Sequence, residues 1–306
     1  MRLSPRVALD WAGQAATLAL DHRRRTPVLF DTHLHLIDRR HLTYPWLAGV
    51  PKLDRDWTLA DYADQAARLG ITGALHMEVD VAESDIDAET AWVAGQMAQP
   101  GSLLRGAISA ARPEAPGFAA WLERLDRRRV RGIRRVLHVV DDGISQLPLF
   151  RENVARLGPA GLPFDICMLQ RQLPLAVALV DACPGTTFVL DHCGVPAMTG
   201  GDFAGWAAMI TDLARRPHVN AKISGITAYG TADWTLDSLR PYVEHVIGAF
   251  GWNRVVWGSD SPVCTLHASL GRWVDATRAL TAGASDDERL AFGFGNARRI
   301  WGLPAG

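Results

Sequence analysis

From residue 27 onward the chain alternates between two hydrophobic patterns. Eight short runs, rich in apolar and β-branched residues, predict strands: "PVLFDTH" (27–33), "TGALHMEV" (72–79), "LLRGAIS" (103–109), "RGIRRVLH" (131–138), "LPFDICM" (162–168), "TFVLDH" (187–192), "VNAKIS" (219–224) and "RVVWGS" (254–259). Between them lie longer stretches with apolar residues at helical spacing. Examples are "LADYADQAARLG" (59–70), "FAAWLERLDRR" (118–128), "LPLAVALVDACP" (173–184), "FAGWAAMITDLARR" (203–216) and "LDSLRPYVEHVIGAF" (236–250). The strand runs are nearly continuously apolar, as strands buried on both faces must be. Eight strand–helix units in one domain-sized chain predict an α/β fold, a closed (β/α)8 TIM barrel. A doubly wound open sheet is the rival. It would need a Gly-rich G-x-G-x-x-G turn after a strand to hold a dinucleotide, and none is present. "GFGNA" (293–297) has no strand leading into it.

The barrel domain is expected over 27–306, preceded by a helical extension over 1–26 whose amphipathic helix runs near 7–20. Asp10 interrupts the apolar part of that extension and "DHRRR" follows it, so it does not read as a signal peptide. Lying outside the barrel pattern, it is the expected contact of a homodimer. Composition narrows the partners further. With 48% hydrophobic and 21% charged residues among 306, a sizeable core can be buried. A net charge of −1 favours neither nucleic acid nor an anionic membrane. No run approaches the roughly 20 apolar residues of a membrane span. The cysteines (Cys167, Cys183, Cys193, Cys264) form no C-x-x-C pair and read as reduced thiols of a cytoplasmic protein.

The unusual residues fall at strand ends. "FDTHLHLID" places two histidines two residues apart, and residues i and i+2 of a strand share a face. Asp31, His33 and His35 are therefore expected on one side, with Leu34 toward the helices. The histidine Cα atoms are then roughly 7 Å apart, close enough to ligate one metal ion. His192 ends the sixth run, Asp260 follows the eighth, and Glu78 ends the second with His76 on its face. Lys222 and Arg134 lie inside strands, and Lys52 is the only other lysine. Ionisable groups are costly to bury unless paired or metal-bound, so in a barrel they converge on one rim. Salt-bridged Lys222 and internally bonded His76, His138 and Asp165 are the bland alternatives. Cys193 is expected to turn away from the site.

These motifs together resemble the amidohydrolase superfamily, in particular its lactonase-rich amidohydrolase-2 branch. "DTHLH" matches the D-x-H-x-H of the first strand and "YPWL" (44–47) the segment after it. "MEVD", "RGIR", "VLDHCG", "AKISG", "WGSDSP" and the closing "GNARRIWGL" are similar to the later motifs. The resemblance covers nearly the whole chain from Phe30. Ile37, Val195 and Ser261 depart from it, at positions where the branch often carries Trp, Lys and Trp.

The resemblance implies a hydrolase opening a sugar-acid lactone or a muconolactone- or pyrone-type lactone. It implies one divalent cation, zinc or manganese, held by His33 and His35 with Glu78 as third ligand. Asp260 is the expected general base. His192 either completes the metal site or holds the carbonyl oxygen, the second role being preferred. In a metal-free version the three histidines polarise the carbonyl themselves. Arg134, Lys222, Tyr44 and Trp46 are the expected substrate contacts. The rivals are a non-oxidative decarboxylase of an unsaturated or aromatic acid and a catalytically silent ligand-binding barrel.

Overall fold

The computed structural model describes residues 28–304. The expected N-terminal helix lies outside these residues. Eight strands follow one another around a single parallel sheet: β1 (Leu29–Leu34), β2 (Ile71–Met77), β3 (Leu104–Ala110), β4 (Val130–Val136), β5 (Phe164–Cys167), β6 (Phe188–Leu190), β7 (Val219–Ile223) and β8 (Val255–Trp257). The end of β8 returns to β1. Thr32 Oγ1 donates to the Trp257 carbonyl at 2.7 Å. Asp260 N donates to the His33 carbonyl at 2.9 Å, and His35 N to that of Ser261 at 2.7 Å. This is the (β/α)8 barrel that the hydrophobic pattern predicts, with each strand inside or beside its expected window.

The helices are α1 (Leu59–Leu69), α2 (Ile86–Met97), α3 (Phe118–Arg124), α4 (Pro148–Ala155), α5 (Leu157–Ala160), α6 (Leu173–Ala182), α7 (Phe203–Ala214), α8 (Leu236–Phe250), α9 (Leu270–Leu280), α10 (Asp286–Leu290) and α11 (Asn296–Trp301). Their ends follow local rules. The Thr58 hydroxyl accepts Asp61 N at the start of α1, and Gly70, at φ 70°, ends it in the left-handed region where glycine carries no Cβ penalty. None is long and apolar enough to cross a membrane.

Two apolar layers hold the barrel. The outer one packs Leu34, Ile133, Ile166, Leu190 and Ile223 of the strands against Trp206, Leu213, Leu239 and Trp273 of the helices. Each such fully buried large side chain contributes about 1.5–3 kcal/mol. The inner layer joins Phe30, Leu75, Ile108, Val189 and Val256 to Ile300 and Trp301 of α11, which plugs the end where the strands begin. The interior is thus apolar at that end and is left to ionisable side chains at the other. Above the strand ends, the segment after β1 folds over the rim as a satellite cluster that includes Ile37, Tyr44, Leu47, Leu53 and Val79.

Two side chains depart from simple alternation. The β1 register shifts between Asp31 and Leu34. Asp31 consequently turns to the helix layer, where its Oδ2 accepts the Tyr62 hydroxyl at 2.6 Å and its Oδ1 accepts Ser259 N at 2.8 Å. It does not join the histidines. On β2, His76 Nε2 faces Glu89 of α2 at 3.4 Å, whereas Glu78, just past the strand, reaches Arg134 of β4.

Candidate active site

β1 supplies His33, His35 lies just past that strand, and the turns after β6 and β8 supply His192 and Asp260, all at the open end of the barrel. All four side chains are buried. Asp260 Oδ1 lies 3.4 Å from His35 Nε2 and 3.7 Å from His33 Nε2. The His33 ring centroid is 4.9 Å from that of His35 and 4.5 Å from that of His192. His192 and Asp260 both adopt φ 55°, a left-handed conformation that costs a non-glycine residue about 1–3 kcal/mol and aims the side chain away from the path of the strand. Two glycines make the space. A Cβ on Gly258 would stand 2.7 Å from His33 Cβ, and one on Gly225 only 2.2 Å from His192 Nδ1.

Hydrogen bonds settle which nitrogen of His35 faces the site. Its Nδ1 lies 3.0 Å from the Met77 carbonyl, which can only accept, so the proton is on Nδ1 and the Nε2 lone pair points at Asp260. His192 Nδ1 meets Ser224 Oγ at 2.9 Å. Burial drives the imidazoles toward neutrality: it lowers His35, with Arg134 adding to the effect, to a pKa of about 3, and His192 to about 4. His33 is held well below the ordinary range by burial and the Lys222 ammonium. Burial acts oppositely on the carboxyl of Asp260, raising it to about 6.

Beneath this group runs an ion network. Arg134 places Nε on Glu78 Oε1 at 2.5 Å and Nη2 on the Glu78 carbonyl at 2.7 Å. Lys222 Nζ lies 2.6 Å from Asp165 Oδ1, 3.0 Å from Asp191 Oδ1 and 3.2 Å from His33 Nδ1. Asp191 in turn stands 3.5 Å from His33 Nδ1 and 3.5 Å from Arg134 Nη1. Burial opposes its ionisation, but Lys222 and His33 hold its carboxyl well below the usual range.

The expected residues therefore divide. His33, His35, His192 and Asp260 come together. Glu78, expected as a third ligand, spends its carboxylate on Arg134 and the Asp80 N–H instead. Lys222, expected on the substrate, is fully buried in its pairs with Asp165 and Asp191 and does not line the site cavity. Tyr44 accepts Asp38 N on its hydroxyl at 3.0 Å and packs in the satellite cluster away from the site. Trp46 and Arg134 do line the site cavity, together with His35, His192 and Asp260; its volume is about 230 Å³. Ile37, Val195 and Ser261 do not line it.

Sequence reasoning missed Asp191. It precedes His192, and strand alternation would turn one of the pair outward. The left-handed turn at His192 and Cys193 breaks that alternation and brings both inside. The signal was the acid in "VLDHCG", unpaired in an apolar run.

The donor set fits a divalent cation. The ligand atoms of His33, His35 and Asp260 lie within 4.8 Å of one another, as do those of His33, Asp191 and His192. Asp260 Oδ2 and both Asp191 oxygens are buried without a hydrogen bond. At the second triad the Lys222 ammonium already stands beside Asp191, so the first is the better seat for added positive charge.

Known proteins place the chain. A family model described as Amidohydrolase matches residues 30–303. L-fucono-1,5-lactonase of Burkholderia multivorans (strain ATCC 17616 / 249) is 29% identical over 301 residues, covering 90% of this chain and 96% of that protein. A Sinorhizobium fredii protein described as uncharacterized protein y4mH is 29% identical over 292 residues, covering 89% of this chain and 98% of its own length. Among solved structures, a zinc-bound amidohydrolase from Burkholderia multivorans superposes with a TM-score of 0.83 at 27% identity, covering 90% of this chain and 100% of that one.

Proposed function

The chain belongs to the amidohydrolase family, and from its site we propose that it opens lactones by hydrolysis. The observation that carries this reading is the placement of Asp260. A buried carboxylate with a raised pKa and an unpartnered Oδ2 stands against two neutral imidazoles at the floor of a cavity of about 230 Å³. That is the equipment of a general base, with the His35 Nε2 lone pair turned toward a seat for a cation and the neutral His192 beside it to hold a developing oxyanion. The similarity to a lactonase over nearly the full length of both chains supports the same substrate class.

Asp260 takes a proton from water as the water oxygen attacks the lactone carbonyl carbon. It returns that proton to the ring oxygen when the C–O bond breaks, leaving a hydroxy acid. His192, fixed by Ser224, is placed to hold the carbonyl oxygen as charge develops. His33, His35 and Asp260 would hold one divalent cation, for which zinc is our choice given the zinc-bound relative. When bound, such a cation polarises the carbonyl and acidifies water. Asp191 orients His33 from behind, the arrangement typical of a carboxylate partner to a ligating histidine.

Metal content of the purified protein, paired with product analysis on sugar-acid and muconate-type lactones before and after chelation, tests this. Stoichiometric zinc with chelator-sensitive hydroxy-acid formation is the expected result. Undiminished turnover without metal would remove His33 and His35 as ligands and leave the carbonyl to His192, and release of CO2 from an aromatic acid in place of hydrolysis would sink the lactonase reading.

A further inference from the structure

Resting on the lactonase reading, we propose that the lactone this pocket takes is neutral and carries an apolar substituent, not a carboxylate or a full set of hydroxyls. Charge on the wall is the first ground. Among the described residues lining the cavity, Arg134 is the one permanent cation, and its guanidinium is committed to Glu78 through two hydrogen bonds and to Asp191 by an ion pair. Asp80 and Asp260 line the same space. A divalent cation at His33, His35 and Asp260 would be taken up by those ligands and the reacting carbonyl, so a second substrate carboxylate would face Asp80 with no free side-chain cation to receive it, and a buried unpaired charge is strongly disfavoured.

The remaining wall is apolar. With the carbonyl oxygen at His192 and the attacking water at Asp260, the rest of the ring meets Trp46, Val79, Val136 and Val263. The Trp46 Nε1–H is already given to the Val79 carbonyl at 2.8 Å, so the indole offers only hydrocarbon. His138 likewise has Nδ1 against Cys167 Sγ at 3.2 Å. Beyond Asp80, the Tyr229 hydroxyl and the other nitrogen of His138, this wall offers ring hydroxyls no further partner, so a fully hydroxylated ring would leave some of its hydroxyls unpaired. The mouth continues the trend. Of the six large hydrophobics that stand exposed on the described surface, two, Val139 and Tyr229, lie on this cavity. Its volume of about 230 Å³ falls below the usual range for drug-sized ligands and suits one ring with a short chain.

The test compares kcat/KM of the full-length enzyme for δ-octanolactone, glucono-1,5-lactone and a pyrone dicarboxylate. The alkyl lactone is expected to lead each of the others by roughly tenfold or more. Preference for either of the others overturns the inference. If none of the three is opened, the lactonase reading fails, and the pocket is then judged by calorimetric binding of two inert lactams, one propyl-substituted and one carboxylated. Tighter binding of the propyl lactam supports the inference, and tighter binding of the carboxylated one ends it. In the same assays Val139→Lys, at an exposed position where folding is not at risk, is expected to shift preference toward the carboxylated ligand.

Discussion

Asp260 Oδ1 stands 3.4 Å from His35 Nε2, and the lone pair of that nitrogen faces the carboxylate because the Nδ1 proton is tied to the Met77 carbonyl. The two residues are far apart in sequence, and β1 and β8 meet only when the barrel closes. Their juxtaposition makes the site, and it sets the first expectation. Asp260→Asn keeps the shape of the side chain and removes the base. Turnover should fall by about 10²–10⁴-fold, with the circular dichroism spectrum unchanged. Unaltered kcat would remove Asp260 from the mechanism.

The pH profile follows from the same carboxyl. Asp260 works as a base only when ionised, and burial raises it to about 6. The acid limb of kcat/KM should therefore bend near that pH in chelated protein, with activity lost as pH falls. His35 and His192, at about 3 and 4, stay neutral through this range and add no limb there. A cation bound among His33, His35 and Asp260 favours the carboxylate, so metal loading should move the limb to lower pH. Identical limbs with and without metal would argue against a cation at this triad.

Lys222 is expected to act through stability. Removing it leaves Asp165 and Asp191 buried with no ammonium between them, a loss of about 3–5 kcal/mol. Lys222→Met should lower the thermal midpoint markedly, read by calorimetry. An unchanged midpoint with a raised KM would restore Lys222 to substrate contact.

Gly258 tests how tightly His33 is placed. An added Cβ would come within 2.7 Å of His33 Cβ and 3.1 Å of Ser224 Cβ, so the histidine must move. Displacement of a reacting group by about 1 Å can cost on the order of 10²-fold in rate. Gly258→Ala is expected to lose turnover by that order while the far-UV spectrum persists; wild-type kinetics would show that the rim yields freely.

The residues themselves carried the barrel and much of its rim. Parallel strands covered on both faces must be apolar, so eight such runs announce eight strands. An imidazole or carboxylate at the end of such a run is costly enough to stand out, which is why His33, His35, His192 and Asp260 were legible. What faces what was not. Alternation told which side a strand residue takes only while the strand stayed regular. The register shift in β1 turned Asp31 to Tyr62, and the left-handed turn after β6 brought Asp191 in beside His192. Glu78 looked free, and the pairing of Lys222 stayed open, because their partners, Arg134 and Asp165, sit 56 and 57 residues away on other strands. Pairing across a barrel depends on strand register and closure, and those are fixed by packing of the whole molecule, so only the tertiary structure could decide which charges are spent on one another and which are left for chemistry.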